Sequence, residues 1–384
     1  MSLWFIRCYP FRVLFDELST PCALVDLDRL ESNAKRMAEK ARRLGVRLRP
    51  HVKTHKCIEA ARIQTDLHFG GLTVSTLAEA QAFAAGGFSD ITYAVPIAPQ
   101  KIAAAADLHA EIGYLNLLVD HPDTVRAIEE LASSRSISLP VYLEIDCGDG
   151  RSGVDPASDI AQLLVRKLAD SEAIDFRGLL THAGHSYSVR SRSEAYEVAC
   201  EERNLVTAFA AEIRDLGVEL PEVSVGSTPT LRAIDDLTGV TEARPGNYIF
   251  FDSFQAAIGS CDLDDVAFSV LATVISVDSE QGRAIIDAGA LALSKDTGPT
   301  HVDPECGFGL PVTLENQHQL PGLRLAGLTQ EHGILTGPGT EALYPGTRIR
   351  ILPNHSCLSA ACFDRYHVLR GTEVVDEWHP VRGW

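Results

Sequence analysis

The run RPHVKTHK, residues 49–56, sets Lys53 between two histidines, His51 and His55, where an apolar-alternating stretch gives way to the helical pattern CIEAARIQ. A lysine desolvated at the end of a strand can form a Schiff base with an aldehyde. The same residue in a basic loop is an ordinary surface lysine. An offset of two puts both histidines on the face of Lys53 if the strand continues, whereas a turn at Thr54 would redirect His55. Two further stretches, GSTPT (226–230) and RPGNY (244–248), have the composition of phosphate-holding turns. Gly226 and Gly246 permit close backbone approach, and Ser227 and Thr228 offer hydroxyl donors. In PNHSCLSA (353–360), His355 and Cys357 stand two apart on a strand-like segment, so both side chains would leave one face. Imidazole and thiolate together suit zinc, although the bare spacing is equally that of a packed histidine and cysteine. The other histidines, among them His68, His109, His121, His301, His318, His367 and His379, show no spacing that argues for ligation.

These residues need a scaffold, and the chain between about residues 20 and 250 supplies a repeating one. DLDRLESNAKRMAEKARRLG reads as a helix with Leu30, Ala34, Met37, Ala38, Ala41 and Leu44 on one face and Gly45 as its stop. Short apolar strands then recur at 46–53, 71–76, 90–95, 115–120, 141–146, 176–182, 222–227 and 242–251, with helical patterns between them. Eight such units predict a parallel (β/α)8 barrel rather than an open doubly wound sheet, and no GxGxxG follows the first strand. In such a barrel, functional groups stand at the C-terminal ends of the strands, and phosphate is held after strands seven and eight. Lys53 on strand one with a cradle on strands seven and eight suggests pyridoxal 5′-phosphate. After about residue 258 the texture turns to alternating β character. The expected domains are a barrel over 28–256 and a C-terminal β-rich domain over 257–384, joined by about residues 1–27 through the strand in TPCALVDL.

A formal net charge of −18 argues against nucleic-acid and anionic-membrane partners. Nine cysteines at irregular spacings, with no CxxC, read as a reducing, cytoplasmic setting. The opening MSLWFIRCYPFRVLF is broken by Arg7, Pro10 and Arg12, and reads as an N-terminal extension rather than a signal sequence. No run of 18 apolar residues occurs, so no membrane span is expected.

RPHVKTHK, TPCALVDLDRL, EIDCGDGRSGV, LLTHAGHSY, SVGSTPT and ARPGNYIFFD, in that set and in family order, resemble the fold-type III pyridoxal-phosphate enzymes built on the alanine-racemase barrel. The likeness is to the branch of D-serine dehydratases and D-threonine aldolases, including the D-threo-3-hydroxyaspartate dehydratases. It implies that Lys53 is the Schiff-base lysine, that His182 lies against the face of the pyridine ring and that Arg151 lies near the phenolic oxygen. It gives Ser227, Thr228, Gly246 and Asn247 to the phosphate, and either Arg244 or Tyr187 to the ring nitrogen. Arg151 could instead pair with Asp146 or Asp149.

The dehydratases of this branch carry a metal on a His-x-Cys pair, which implies a divalent metal on His355 and Cys357. Zinc is the first choice, with manganese or cobalt as alternatives. Glu331 and His332 in QEHGIL also match the pattern, with no role assigned. The implied activity is a lyase of D-amino acid metabolism, dehydrating D-serine, D-threonine or D-threo-3-hydroxyaspartate to a 2-oxo acid and ammonia. Retro-aldol cleavage to glycine and an aldehyde is the alternative. Racemisation, for which Tyr344 and Tyr366 are available, and a non-enzymatic cofactor carrier stand further off. The family likeness also implies a homodimer.

Overall fold

The computed structural model describes residues 14–384. The N-terminal extension therefore lies outside the described residues as far as residue 13. The chain divides into two compact units, one of residues up to Ala34 with Asn247–Pro380 and the other of Lys35–Gly246 with Val381–Trp384.

The first strand, β1 (Cys22–Asp26), runs directly into helix α1 (Leu27–Arg43). The Asp26 carboxylate accepts the Arg29 N–H at 3.1 Å, and Gly45 ends the element at φ +71°. Leu30, Ala34, Met37, Ala38 and Ala41 are buried, as their spacing predicts.

The second unit is the expected (β/α)8 barrel. Its strands are β2 (Arg47–Leu48), β3 (Leu72–Val74), β4 (Asp90–Pro96), β5 (Tyr114–Val119), β6 (Leu139–Ile145), β7 (Ile174–Thr181), β8 (Glu222–Val225) and β9 (Glu242–Ala243). Between them come α2 (Ile58–Thr65), α3 (Leu77–Ala85), α4 (Ile102–Ile112), α5 (Pro122–Arg135), α6 (Asp159–Asp170), α7 (Arg192–Asp215) and the short α8 (Thr228–Ala233). The order is β2-β9-β8-β7-β6-β5-β4-β3, all parallel, and a parallel bridge between His51 and Thr73 joins the two ends.

Sequence patterning overestimated two strands. The predicted strand 46–53 stops at Leu48 because Pro50 has no N–H to give the ladder. The predicted strand 242–251 stops at Ala243, ahead of Pro245. Backbone pairing nevertheless continues past each, from Arg49 N–H to the Ala243 carbonyl at 2.9 Å and from His51 N–H to the Pro245 carbonyl at 3.0 Å. Lys53 therefore lies on a 3-10 turn, Val52–Thr54, and not on a strand.

The barrel interior is charged. Arg49, 2% exposed, bonds Glu242 at 2.7 Å and Asp90 at 2.7 Å. Glu222 accepts from Tyr142 at 2.6 Å and pairs with Arg177 at 2.5 Å and with Arg47. Ser224 donates to Glu242 at 2.8 Å and accepts from Arg244 at 2.6 Å, which carries the network up to the ends of the strands.

The first unit is a mixed nine-stranded sheet of β1, β10 (Phe268–Asp278), β11 (Arg283–Ile286), β12 (Gly309–Val312), β13 (Arg324–Leu328), β14 (Gly333–Thr336), β15 (Arg348–Pro353), β16 (Tyr366–Arg370) and β17 (Glu373–Trp378). β10 pairs with β1, β11 and β15, and β1 pairs with β16 as well. Phe250 stacks on Phe268 with ring centroids 5.2 Å apart, and Tyr366 meets both edge-on. Tyr366 is thus a core residue, 1% exposed. Three short helices, α9 (Ser253–Ala257), α10 (Ala290–Leu293) and α11 (Ser356–Ala360), complete the unit. No helix among the described residues is long and apolar enough to cross a membrane.

Because Glu242 is fully buried between Arg49 and Ser224, replacing it with glutamine leaves a buried guanidinium short of its counter-ion. Glu242→Gln should destabilise the protein by about 3 kcal/mol, read from urea unfolding midpoints. A loss below about 0.5 kcal/mol would mean that the network is not what holds the barrel ends in place.

Candidate active site

Three turns at the C-terminal ends of the barrel strands bring most of the expected residues together. In the turn after β2, the His51 imidazole accepts the Lys53 N–H on Nδ1 at 3.3 Å and bonds Ser75 Oγ through Nε2 at 3.3 Å. Donation from the backbone fixes the tautomer, with the imidazole proton on Nε2. The 3-10 turn swings His55 inward, where it is fully buried and bonds Gln64 at 2.8 Å and the Cys57 N–H at 2.9 Å. His51 thus stays beside Lys53, while His55 anchors the entry to α2. Lys56 seals the loop with an ion pair to buried Glu79 at 2.8 Å, and the Val381 N–H donates to the Lys56 carbonyl at 2.7 Å.

After β7, His182 directs Nδ1 to the Gly226 carbonyl at 2.7 Å, so Nδ1 carries the proton and Nε2 keeps its lone pair. Burial, with the nearby charges of Lys53, Arg151 and Arg244, drives its pKa down to about 3. His51 is lowered by burial and by the same lysine and Arg244. Lys53, His51, His182, Arg151 and Arg244 therefore share one end of the barrel, and both imidazoles are neutral there. Tyr187 closes the 3-10 turn Gly184–Tyr187 that follows His182.

Arg244 is buried, and its terminal nitrogens donate to Ser224, to the Val225 carbonyl at 3.2 Å and to the Thr181 carbonyl. Arg151 is half exposed, with Asp149 at 3.9 Å and Glu144 at 4.0 Å, so neither carboxylate holds it tightly. Asp146 instead caps its own loop, accepting the N–H groups of Gly148 and Gly150. Glu144, which the sequence reading passed over, is 3% exposed, and burial pushes its pKa up to about 7. Only its place at the end of β6, two residues beyond inward-facing Tyr142, could have signalled it.

The turn after β8 is forced by glycine. Gly226 has φ +148°, and a Cβ there would stand 2.6 Å from the Arg244 nitrogen. Its N–H donates to buried Glu202 at 3.2 Å. Ser227 caps α8 and joins a hydroxyl cluster, 2.9 Å from Ser186 Oγ and 2.9 Å from Thr230 Oγ1. Thr228 is fully buried at the first position of α8. At Gly246 a Cβ would come within 3.0 Å of His51. Cationic side chains, a cluster of hydroxyls and two glycines without room for a side chain fit a flat, anionic cofactor at this end of the barrel. Asn247 departs from the phosphate role in one respect. Its amide nitrogen donates to Asp252 at 2.7 Å and Ser356 at 3.0 Å, which leaves its main chain for an anion.

In the first unit, His355 and Cys357 do come together, although not by strand alternation. β15 ends at Pro353, His355 is the N-cap of α11 and Cys357 lies in the first turn of that helix. His355 Nδ1 donates to Asp296 at 3.2 Å, which fixes the orientation of the ring in the way that metal-bound histidines are oriented. Burial opposes the imidazolium, but Cys357, Asp296 and Asp252 outweigh it and push the His355 pKa up to about 11. The surroundings therefore favour positive charge at this imidazole, and a thiolate–imidazole donor set suits a soft or borderline divalent cation. No cluster of three or more His, Cys, Asp or Glu side chains able to share a metal occurs among the described residues. Asp296 gave no sequence signal, because it comes from a loop 59 residues away. Glu331 and His332 are exposed on the β13–β14 turn.

Comparison with known proteins identifies the family. The family model of the alanine racemase N-terminal domain matches residues 25–254, and that of a serine dehydratase domain matches residues 267–369. D-threo-3-hydroxyaspartate dehydratase of Delftia sp. is 40% identical, over 96% of this chain and 98% of its own length. D-serine dehydratase of Dictyostelium discoideum is 35% identical over 96% and 98%, and D-threonine aldolase of Arthrobacter sp. is 30% identical over 94% and 92%. Among solved structures, a cysteine-to-alanine variant of D-threo-3-hydroxyaspartate dehydratase in the metal-free form superposes with a TM-score of 0.92 at 39% identity, covering 97% of this chain and all of that one.

The buried imidazole of His55 gives a pH signature. Burial holds it at about 4 when folded, against about 6.5 when unfolded. The unfolded chain therefore binds the extra proton, so stability present above pH 6.5 is lost as the pH falls toward 4. His55→Asn, which can still accept the Cys57 N–H, should flatten the dependence of urea unfolding free energy on pH over that interval by about one proton. An unchanged slope would place the titrating group elsewhere.

Proposed function

Because the chain belongs to the pyridoxal-phosphate enzyme family that joins an alanine racemase N-terminal domain to a serine dehydratase domain, we propose that it is a metal-dependent dehydratase of D-3-hydroxyamino acids. Its substrates would be D-serine, D-threonine or D-threo-3-hydroxyaspartate, and its products a 2-oxo acid and ammonia. The observation that carries this reading is the sharing of one barrel end by Lys53, neutral His182, Arg151 and Arg244.

Pyridoxal phosphate, when bound, supplies the electron sink that stabilises negative charge at Cα, and a divalent metal at His355 and Cys357 supplies a Lewis acid for the β-hydroxyl. Lys53 would hold the cofactor through its side-chain amine, and that amine, when free, would take the Cα proton. His182 serves the cofactor ring as an uncharged surface, held in orientation by the Gly226 carbonyl. Arg151, loosely held by its own carboxylates, is free to turn to the phenolic oxygen. Ser227, Thr228 and the main chain at Gly246 and Asn247 would receive the phosphate. The commitment of both Arg244 terminal nitrogens to Ser224, Val225 and Thr181 favours Tyr187 at the ring nitrogen. Cys357, a thiolate donor, supports zinc before manganese or cobalt. No disulfide joins the described cysteines, which supports a cytoplasmic enzyme. A homodimer completes the reading, on family likeness.

Protein loaded with pyridoxal phosphate and zinc should convert D-threonine to 2-oxobutanoate and ammonia, identified by mass, and chelation should stop the reaction. Cys357→Ala should lower turnover by roughly 100-fold or more while retaining the visible absorbance of the bound cofactor. Glycine and acetaldehyde would instead make the enzyme an aldolase. Full turnover in the presence of chelator would remove the metal from the mechanism.

A further inference from the structure

Asp252 divides its two carboxylate oxygens between two tasks. Oδ1 caps α9 by accepting the Gln255 N–H at 2.9 Å. Oδ2 accepts from three donors: the Ser356 N–H at 2.9 Å, the Ser356 hydroxyl at 3.2 Å and the Asn247 amide at 2.7 Å. The carboxylate is 1% exposed, so each of these bonds forms away from water, where charge-assisted bonds are strong. Ser356 is the residue between His355 and Cys357, and it is the first residue of α11. The Asn247 amide, besides bonding Asp252, bonds Ser356 Oγ at 3.0 Å and stands 3.9 Å from Cys357 Sγ.

We propose that Asp252 is a positioning residue for the metal pair. By gripping Ser356 at both N–H and hydroxyl, it starts α11 at the one register that turns the His355 imidazole and the Cys357 thiolate toward a common point. Asp296 fixes the rotation of the His355 ring, and Asp252 fixes the backbone from which both ligands project. Asn247, next in the chain to Gly246, bonds the same oxygen. This inference rests on the metal reading of His355 and Cys357 given above.

The test is a cobalt(II) titration of chelator-stripped, cofactor-loaded full-length protein. It follows the thiolate-to-cobalt charge-transfer absorbance, with the cofactor's visible absorbance recorded in the same sample. Asp252→Asn keeps an oxygen for the α9 cap but puts an NH2 group where three donors converge. It should weaken cobalt binding by roughly 10- to 100-fold and weaken or shift the thiolate band, with the cofactor absorbance unchanged. Ser356→Pro deletes the N–H and the hydroxyl together at a helix N1 position that accepts proline, and leaves the α9 cap intact. It should do the same, and it decides the matter if Asp252→Asn fails to fold. Wild-type affinity and band shape in the folded variants would overturn the proposal. Absence of a thiolate–cobalt band in the wild-type protein would overturn the metal reading itself, and this proposal with it.

Discussion

The guanidinium–carboxylate network inside the barrel is the constraint on which the candidate active site depends. Arg49, Glu242, Ser224 and Arg244 form an unbroken series of hydrogen bonds from the interior to the ends of the strands. Arg244 then grips the Val225 and Thr181 carbonyls, the last residues of β8 and β7. The next residues in the chain are Gly226 and His182, which bond each other. Buried charges of this kind contribute little net stability compared with an apolar core, because desolvation offsets most of the attraction. What they provide is registry, since a shifted strand would strand a guanidinium without its carboxylate.

Backbone groups do much of the remaining positioning. The His51 imidazole captures the Lys53 N–H, Glu202 captures the Gly226 N–H and Asp252 captures the Ser356 N–H. In each case a buried side chain satisfies a main-chain donor at a turn that carries or adjoins a site residue. An unmet donor there would cost about 1–3 kcal/mol, so each turn has one strongly preferred conformation. Pre-set turns of this sort reduce what must be ordered when a ligand binds.

How far the sequence revealed this depends on the range of the interaction. Local periodicity shows α1 and the alternation of strands and helices, because each depends on residues a few positions apart. Lys53, His182, His355 and Cys357 stand in motifs short enough to be recognised. The turn at Lys53 was harder to see, because it follows from Pro50 and from an imidazole bonding its own backbone. The charged interior was not legible either. The arginines of RLR and the glutamates of EVSV and EAR look like ordinary alternation until closure of the barrel turns them toward one another. Asp296 and Asp252 reach the His355–Cys357 turn from 59 and 104 residues away, and no single-sequence pattern links such positions.

The two candidate sites carry opposite charge, which bears on what each can hold. At the barrel end, Lys53, Arg151 and Arg244 collect positive charge and hold His51 and His182 neutral, while burial weakens the ionisation of Glu144 and Glu202. An anionic, aromatic aldehyde neutralises that field without requiring either imidazole to change its protonation. Around His355, Cys357, Asp296 and Asp252 reverse the sign and favour a proton or a metal ion on the imidazole. The chain is acidic overall, at −18, so the cationic barrel end is a local exception to its charge.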